Sequence, residues 1–254
     1  MNIYSWNVWY RNQTPDKAFA YIRDLDFDVL CLQEVSADFL KRLKTLPFYL
    51  VFDTDITFFS DKRSRTIYTV ILSRHPIQKS GKVAFPEPKS TLRAAVSFKV
   101  RGWWKGLRDR GAVYADIDFP NGKVRIFSMH LTLSSPSARM RELTLIRSSL
   151  PKDFPVVLAG DLNIIEHALV KPLSWFLGAP IRESTPWHRE RARVETQFKE
   201  LRLKNPLRRK VTHGFSQSQL DHVLVPEEWE VVDARVSRKK YGSDHRPVFV
   251  AVHD

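Results

Sequence analysis

Polar side chains able to do chemistry recur where apolar runs end. Asn7 follows Asn2-Ile-Tyr-Ser-Trp6, Glu34 follows Val29-Leu-Cys-Leu-Gln33, and His130 follows Val124-Arg-Ile-Phe-Ser-Met129. Asp161 and Asn163 follow Pro155-Val-Val-Leu-Ala-Gly160, Asp221 lies in Gln219-Leu-Asp-His-Val223, and Asp244 and His245 lie in Gly242-Ser-Asp-His-Arg-Pro247. These carboxylates, imidazoles and carboxamides ligate hard cations, move protons or orient polar substrates. Singly, each has a plain reading. A polar residue after a strand commonly marks where the chain meets water, and His130 alone reads as a satisfied core histidine. The Asp244-His245 pair is the least ordinary, because a carboxylate beside an imidazole is costly to bury without purpose. Strands of one sheet end on a common rim, so residues spread over the whole chain could converge there.

In that order, Ser5-Trp-Asn7, Leu32-Gln-Glu34, His130-Leu131, Gly160-Asp-Leu-Asn163, Leu220-Asp-His222 and Ser243-Asp-His-Arg-Pro247 resemble the motifs of the endonuclease/exonuclease/phosphatase superfamily. It includes deoxyribonuclease I, exonuclease III-type abasic-site endonucleases, sphingomyelinases, inositol polyphosphate 5-phosphatases and tyrosyl-DNA phosphodiesterases. The likeness runs from residue 2 to about 252. It implies an α/β fold, a four-layered sandwich of two mixed β-sheets packed face to face with helices outside. It also implies metal-dependent cleavage of a phosphoester.

Phosphodiester hydrolysis needs a nucleophilic water, charge neutralisation at phosphorus and help for the leaving oxygen. Mg²⁺ suits this, since it takes oxygen ligands and keeps several waters, and Mn²⁺ is a substitute. Glu34 is the leading metal ligand, Asp244 a second carboxylate, and Asn7 a ligand or an orienting group. The His/Cys spacing of a zinc site is absent from the sequence. Asp161 is expected to position or deprotonate the attacking water, and Asn163 to donate its amide to a phosphate oxygen. His245 binds phosphate as a cation or acts as general base, and His130 donates to a non-bridging oxygen or the leaving group. By the resemblance, Asp221 accepts a hydrogen bond from His245 and fixes its tautomer.

Substrate signals come next. By the resemblance, abasic-site endonucleases place a tyrosine-containing segment near the position of His130, whereas deoxyribonuclease I, tyrosyl-DNA phosphodiesterase and sphingomyelinase types carry histidine. Deoxyribonuclease I pairs that histidine with a glutamate. The strand expected at Thr66 to Leu72 holds none, so it offers His130 no carboxylate partner. The 41 basic and 28 acidic residues give a net charge of +13, which favours a polyanion: nucleic acid, an anionic membrane or a phosphorylated small molecule. The plainer reading is a charge for solubility. Residues 182–210 hold ten Lys/Arg and four Glu, read either as a phosphate-backbone contact or as a solvated, loosely helical face. Within the basic stretch 101–110, Arg110, Trp103 and Trp104 are candidate substrate contacts. The tryptophans of Arg101-Gly-Trp-Trp-Lys-Gly106 pack on the domain, stack on bases, or dip into lipid as the aromatic hairpin of bacterial sphingomyelinases does.

The positioning elements read as strand–helix–strand–helix at the start. Thr14-Pro15 would cap the first helix and Ser36 the second. Strands are expected at 66–72, 94–100, 155–159, 220–225 and 246–252, with a hairpin around Pro120-Asn-Gly122 and a helix over 138–150. Residues 181–210 carry no clear pattern. At 254 residues, 43% hydrophobic and 27% charged, one globular domain spanning 1–254 is expected. A single cysteine, Cys31, rules out an internal disulfide framework and sits in an apolar run as a core thiol. No secretory signal or apolar run of membrane-spanning length is present, so a cytoplasmic location is expected. Three readings remain: a nuclease, a phospholipid or inositol-phosphate phosphoesterase, and an inactive basic nucleic-acid-binding module. The complete set of motif residues argues against the third.

Overall fold

The structure, a computed structural model, describes residues 1–59, 64–87, 106–133 and 135–253. Its strands are β1 (Asn2–Asn7), β2 (Val29–Ser36), β3 (Tyr49–Phe59), β4 (Ser64–Ser73), β5 (Ile77–Ala84), β6 (Gly106–Arg108), β7 (Gly111–Phe119), β8 (Gly122–His130), β9 (Val156–Asp161), β10 (Leu203–Lys204), β11 (Asp221–Pro226), β12 (Glu230–Val236) and β13 (Val248–His253). The α-helices are α1 (Pro15–Arg23), α2 (Ala37–Leu43), α3 (Pro136–Ser148) and α4 (Glu190–Glu200). One sheet has the order β12-β13-β1-β2-β4-β3-β6 and the other β10-β11-β9-β8-β7-β5. Both are mixed: β1–β2 and β8–β9 run parallel and the remaining pairs are antiparallel.

Period-two alternation assigns each strand residue to a layer. Ile3, Val29, Cys31 and Ile71 from the first sheet meet Val113, Ile126, Val157 and Val223 from the second, forming the central core. The alternate residues Tyr4, Trp6, Leu30, Leu32 and Val70 face outward beneath Ala18 and Ile22 of α1 and Phe39, Leu40 and Leu43 of α2. On the far side, Phe127, Met129, Leu158 and Leu224 pack under Leu143 and Ile146 of α3 and Val194 and Phe198 of α4. Strands buried on both faces explain why β2, β9 and β11 are nearly continuous apolar runs. The expected four-layered α/β sandwich is the observed fold.

The local expectations fare unevenly. Ser36 caps α2, its Oγ accepting from Phe39 N at 3.3 Å. Thr14 makes no side-chain cap on α1, which starts instead on Pro15 with its preset backbone. The hairpin turns at Gly122, whose φ of 135° favours glycine, and Cys31 is fully buried. The strand expected at 94–100 lies outside the described residues. Five described strands carried no expectation: β3, β5, β6, β10 and β12. The patternless 181–210 stretch contains α4, which buries only Glu190, Val194 and Phe198. Among the described residues no helix is long and apolar enough to cross a membrane.

Candidate active site

The two parallel pairs bring chain ends of both sheets to one rim. His130 ends β8 directly opposite Asp161, which ends β9, and Asp161 is also directly opposite Asp221 of β11. Side chains paired across strands share a face, so these three stand together on the inner side of the second sheet. From the first sheet, Asn7 ends β1 in the same alternation as inward-facing Ile3. Its Nδ2 donates to Asp161 Oδ2 at 3.1 Å and to Glu34 Oε1 at 3.0 Å, tying the two sheets' carboxylates together.

Glu34 reaches this rim through a defect in the ladder. Between Leu32 and Val35 the register of β2 against β4 shifts, so Gln33 and Glu34 face the single residue Thr69. Glu34 adopts φ 54°, costly backbone for a residue with a Cβ and of the kind that collects at functional sites. A second irregularity between Thr54 and Ile56 of β3 turns Asp55 inward. Asp55 Oδ2 accepts the Glu34 backbone N–H at 3.2 Å and sits 2.9 Å from His130 Nδ1. His130 therefore has a carboxylate partner. It comes from β3 and is an aspartate, which corrects the expectation drawn from strand 66–72.

Two imidazoles flank Asp161. His130 Nε2 lies 3.8 Å from Asp161 Oδ2 and 3.9 Å from Glu34 Oε1, and His245 Nε2 lies 3.7 Å from Asp161 Oδ2. Behind His245, Nδ1 donates to Asp221 Oδ2 at 2.8 Å, the contact the resemblance implied. Asp161 Oδ1 accepts the Asn163 N–H at 2.8 Å. The Asn163 side-chain amide is turned inward to Leu131 O at 2.8 Å, so in this geometry it braces the Asp161 loop.

Two glycines permit the placement. At Gly160 (φ 142°) a Cβ would stand 1.9 Å from Met129 O, where β9 presses against β8. At Gly242 (φ 87°) a Cβ would meet Asn12 Oδ1 at 2.3 Å, which lets the loop bearing Asp244 and His245 lie against residues 12–14. Ser243 Oγ then donates to Asn7 O at 2.7 Å and accepts from His245 N at 3.0 Å.

The charges follow from this geometry. Burial alone would lower the His130 pKa, but Asp55, Asp161 and Glu34 outweigh it and raise the value to about 9. At His245 burial is likewise outweighed by Asp221, Asp161 and Asp244, giving about 10. Burial pushes Glu34 above the usual carboxylate range, with His130 and Asn7 opposing it. Burial also acts to raise Asp244, but His213 and His245 hold it below its ordinary value.

The eight motif residues therefore form one connected constellation, with Asp244 at its margin. Asp244 Oδ2 lies 3.7 Å from His213 Nε2, and 45% of its side chain is exposed. Two groups of possible metal-binding atoms lie within 4.8 Å: Asp161, Asp221 and His245, and His213, Asp244 and His245. The first is closed by the His245–Asp221 hydrogen bond. The carboxylate donors at the rim suit a hard cation, with Glu34 open to it at 17% side-chain exposure. Asn7 Oδ1 accepts from Trp9 N at 3.0 Å, so Asn7 acts here as an orienting group.

Arg110 departs from expectation. Its side chain is 2% exposed and paired with buried Glu142 of α3, and its Nη2 donates to His130 O at 2.9 Å. It holds the end of β8 from inside and does not face solvent as a substrate contact would. Trp103 and Trp104 lie outside the described residues. The stretch 182–210 is partly structural: its Arg191 bonds Glu166 and Gln219 O, and its buried Glu190 accepts two bonds from Arg139 of α3. Sequence reasoning missed Asp55, His213 and Tyr10, whose backbone N–H lies 3.5 Å from Glu34 Oε2. For Asp55 a signal existed, since a carboxylate between Thr54 and Ile56 is out of place in a strand.

This is the fold of a phosphoester-cleaving α/β sandwich, with the candidate residues gathered at one rim. Residues 4–245 match the endonuclease/exonuclease/phosphatase family, and the chain belongs to that family of phosphoric-ester hydrolases. Among curated proteins no sequence matches significantly. Solved structures share the fold. An endonuclease/exonuclease/phosphatase from Beutenbergia cavernae aligns over 98% of this chain and 70% of its own, with 20% identity and a TM-score of 0.68. The 3' phosphatase NExo from Neisseria, bound to a product DNA hairpin, aligns over 100% and 99% with 18% identity and a TM-score of 0.64. The mannosyl-6-phosphatase Bt3783 of Bacteroides thetaiotaomicron aligns over 100% of both chains with 15% identity and a TM-score of 0.60.

Proposed function

We propose that this chain is a Mg²⁺-dependent phosphodiesterase that hydrolyses nucleic acid. The observation that carries the reading is Asp161 held between two imidazoles, 3.8 Å from His130 Nε2 and 3.7 Å from His245 Nε2, each imidazole backed by its own buried aspartate. One Asp–His pair on each side lets one imidazolium hold a non-bridging oxygen while the other assists the leaving oxygen.

In this mechanism Asp161 Oδ2 orients the attacking water and takes its proton, with Asn7 Nδ2 and Asn163 N–H fixing the carboxylate plane. His245 binds the phosphate as a cation, because its Nδ1 is committed to Asp221 and only Nε2 faces the site. His130, backed by Asp55, donates to the leaving oxygen. Glu34 would hold the Mg²⁺, which supplies charge neutralisation at phosphorus when bound.

Charge selects the substrate. The same fold serves a DNA 3' phosphatase and a sugar phosphatase in other proteins, so the fold alone does not choose. A net charge of +13 suits a polyanion with phosphates beyond the scissile one. A small phosphorylated sugar uses few such contacts.

The test is a panel of plasmid DNA, single-stranded DNA, RNA, sphingomyelin and an inositol phosphate, each with Mg²⁺ or chelator. Chelator-sensitive cleavage of nucleic acid is expected, abolished in Asp161→Ala and His245→Ala. Activity confined to lipid or inositol phosphate would overturn the reading, and so would near-normal turnover in either variant.

A further inference from the structure

The site is bordered by two aromatic residues that its chemistry leaves unused, Tyr10, whose ring also lies 5.6 Å from that of Phe58, and Phe215. At one end, the Tyr10 N–H lies 3.5 Å from Glu34 Oε2, so the Tyr10 backbone borders the carboxylate rim. The guanidinium of Arg11 lies 5.3 Å from the Tyr10 ring centroid and that of Arg65 lies 5.6 Å away. Both arginines are exposed, and among the described residues neither forms an ion pair. At the other end, the His213 ring lies 4.8 Å from that of His245, and Phe215 follows at 6.5 Å from His213. Phe215 is 72% exposed. A Cβ at Gly214 would stand 3.4 Å from Lys240 Nζ, so an ammonium lies over the same loop.

These contacts form a continuous path. Tyr10 meets Glu34, and Asn7 bridges Glu34 to Asp161. Asp161 meets His245, which meets His213, which meets Phe215. An aromatic residue with a basic side chain near it, over the ring at Tyr10 and beside the neighbouring Gly214 at Phe215, therefore sits at each end of the carboxylate–imidazole row. A mononucleotide or sugar phosphate needs no aromatic surface at both ends. A strand with bases on both sides of the scissile phosphate uses both. Every base offers an exposed ring such as that of Phe215 a π-face to stack on.

Building on the nucleic-acid reading above, we infer that Tyr10 with Arg11 and Arg65, and Phe215 with Lys240, are two base-stacking and phosphate-binding subsites that grip single-stranded nucleic acid on either side of the cleaved bond.

The test is binding of a fluorescent thymidine octanucleotide to the full chain in chelator, where turnover is suppressed. It is compared with an octanucleotide of the same length that carries abasic sugars in place of the bases. Phe215→Ala and Arg65→Gln each serve as variants, and their folding is checked by thermal unfolding. For Phe215→Ala the affinity for the base-bearing strand is expected to fall roughly tenfold, with no change for the abasic strand. For Arg65→Gln both strands should weaken and the salt slope should become shallower by about one contact. The inference is overturned if wild type does not bind the octanucleotide, if Phe215→Ala binds both strands like wild type, or if it weakens both equally. Failure of the nucleolytic reading is separate: it is the absence of cleavage of any nucleic acid with Mg²⁺, whatever the binding result.

Discussion

Asp55 and His130 meet at 2.9 Å although they lie 75 residues apart and belong to different sheets. Asp55 also accepts the Glu34 backbone N–H. One buried carboxylate thus couples a candidate metal ligand to a candidate acid, and it does so through ladder irregularities in β2 and β3, on the two sides of β4. Bulges re-aim side chains in this way. The contact also explains why a fully buried imidazole remains cationic at neutral pH: the carboxylates around it outweigh its desolvation.

Asp55→Asn should therefore act through His130. The variant removes the foremost of the groups that raise the His130 pKa, so the value should drop from about 9. Turnover at neutral pH should fall by about 10² or more. NMR titration of the His130 ring and kcat measured together check this. A lost kcat with an unmoved His130 titration would assign Asp55 to the Glu34 backbone alone.

The sequence showed most of the site because its residues border doubly buried strands, whose apolar runs are unmistakable. His130 and Asp161 end β8 and β9, Asp221 opens β11, and Glu34 closes the apolar run of β2. Asp55 was missed because β3 alternates poorly: Asp53 and Asp55 interrupt it, and their environment is set by partners far along the chain. β5 and β12 are edge strands with polar faces, so Lys79, Lys82 and Arg235 hide their period. α4 buries a narrow stripe and leans on ion pairs such as Arg139–Glu190, a contact no local pattern contains. Arg110 misled for the opposite reason. It lies in a basic stretch, but its partner Glu142 is on a helix 32 residues later.

Gly160→Ala should damage stability and activity together. The new Cβ would stand 1.9 Å from Met129 O, and φ 142° is itself unfavourable for alanine. Roughly 2–4 kcal/mol of destabilisation is expected, read by chemical denaturation. Gly214→Ala is the control, because the nearest atom there is a flexible lysine terminus at 3.4 Å. Equal midpoints for the two variants would refute the argument.

Cys31 links stability to alkaline pH. Burial pushes its thiol up to about 12, with Ser128 opposing. The folded chain keeps this proton above pH 9 while the unfolded chain releases it, so fewer protons are bound on unfolding and stability falls as pH rises. Cys31→Ala lacks this term. Its stability gap to wild type should narrow above pH 9, by at most about 1.4 kcal/mol per pH unit. Denaturant titrations of both proteins at pH 8 and 10 measure the gap, and a constant gap would show that the thiol ionises equally in both states. Native Cys31 should also resist thiol reagents until the chain unfolds.

Arg110 separates a structural role from a substrate-binding one. Its guanidinium pairs with Glu142 Oε1 and donates to His130 O, and Glu142 Oε2 accepts the Thr132 N–H at 2.7 Å. Both side chains are almost wholly buried. Glu142→Gln keeps an acceptor for Thr132 but leaves the Arg110 charge buried without its counter-ion, which should cost about 3–5 kcal/mol. A buried pair predicts a lower unfolding midpoint in Glu142→Gln with KM nearly unchanged in the surviving folded enzyme. A substrate contact at Arg110 predicts the reverse for Arg110→Met: an unchanged midpoint, a raised KM and a shallower salt dependence. Measuring denaturation and KM on both variants decides between them. The packing of Arg110 against the end of β8 favours the first outcome, with kcat falling as well because the strand that carries His130 loses its anchor.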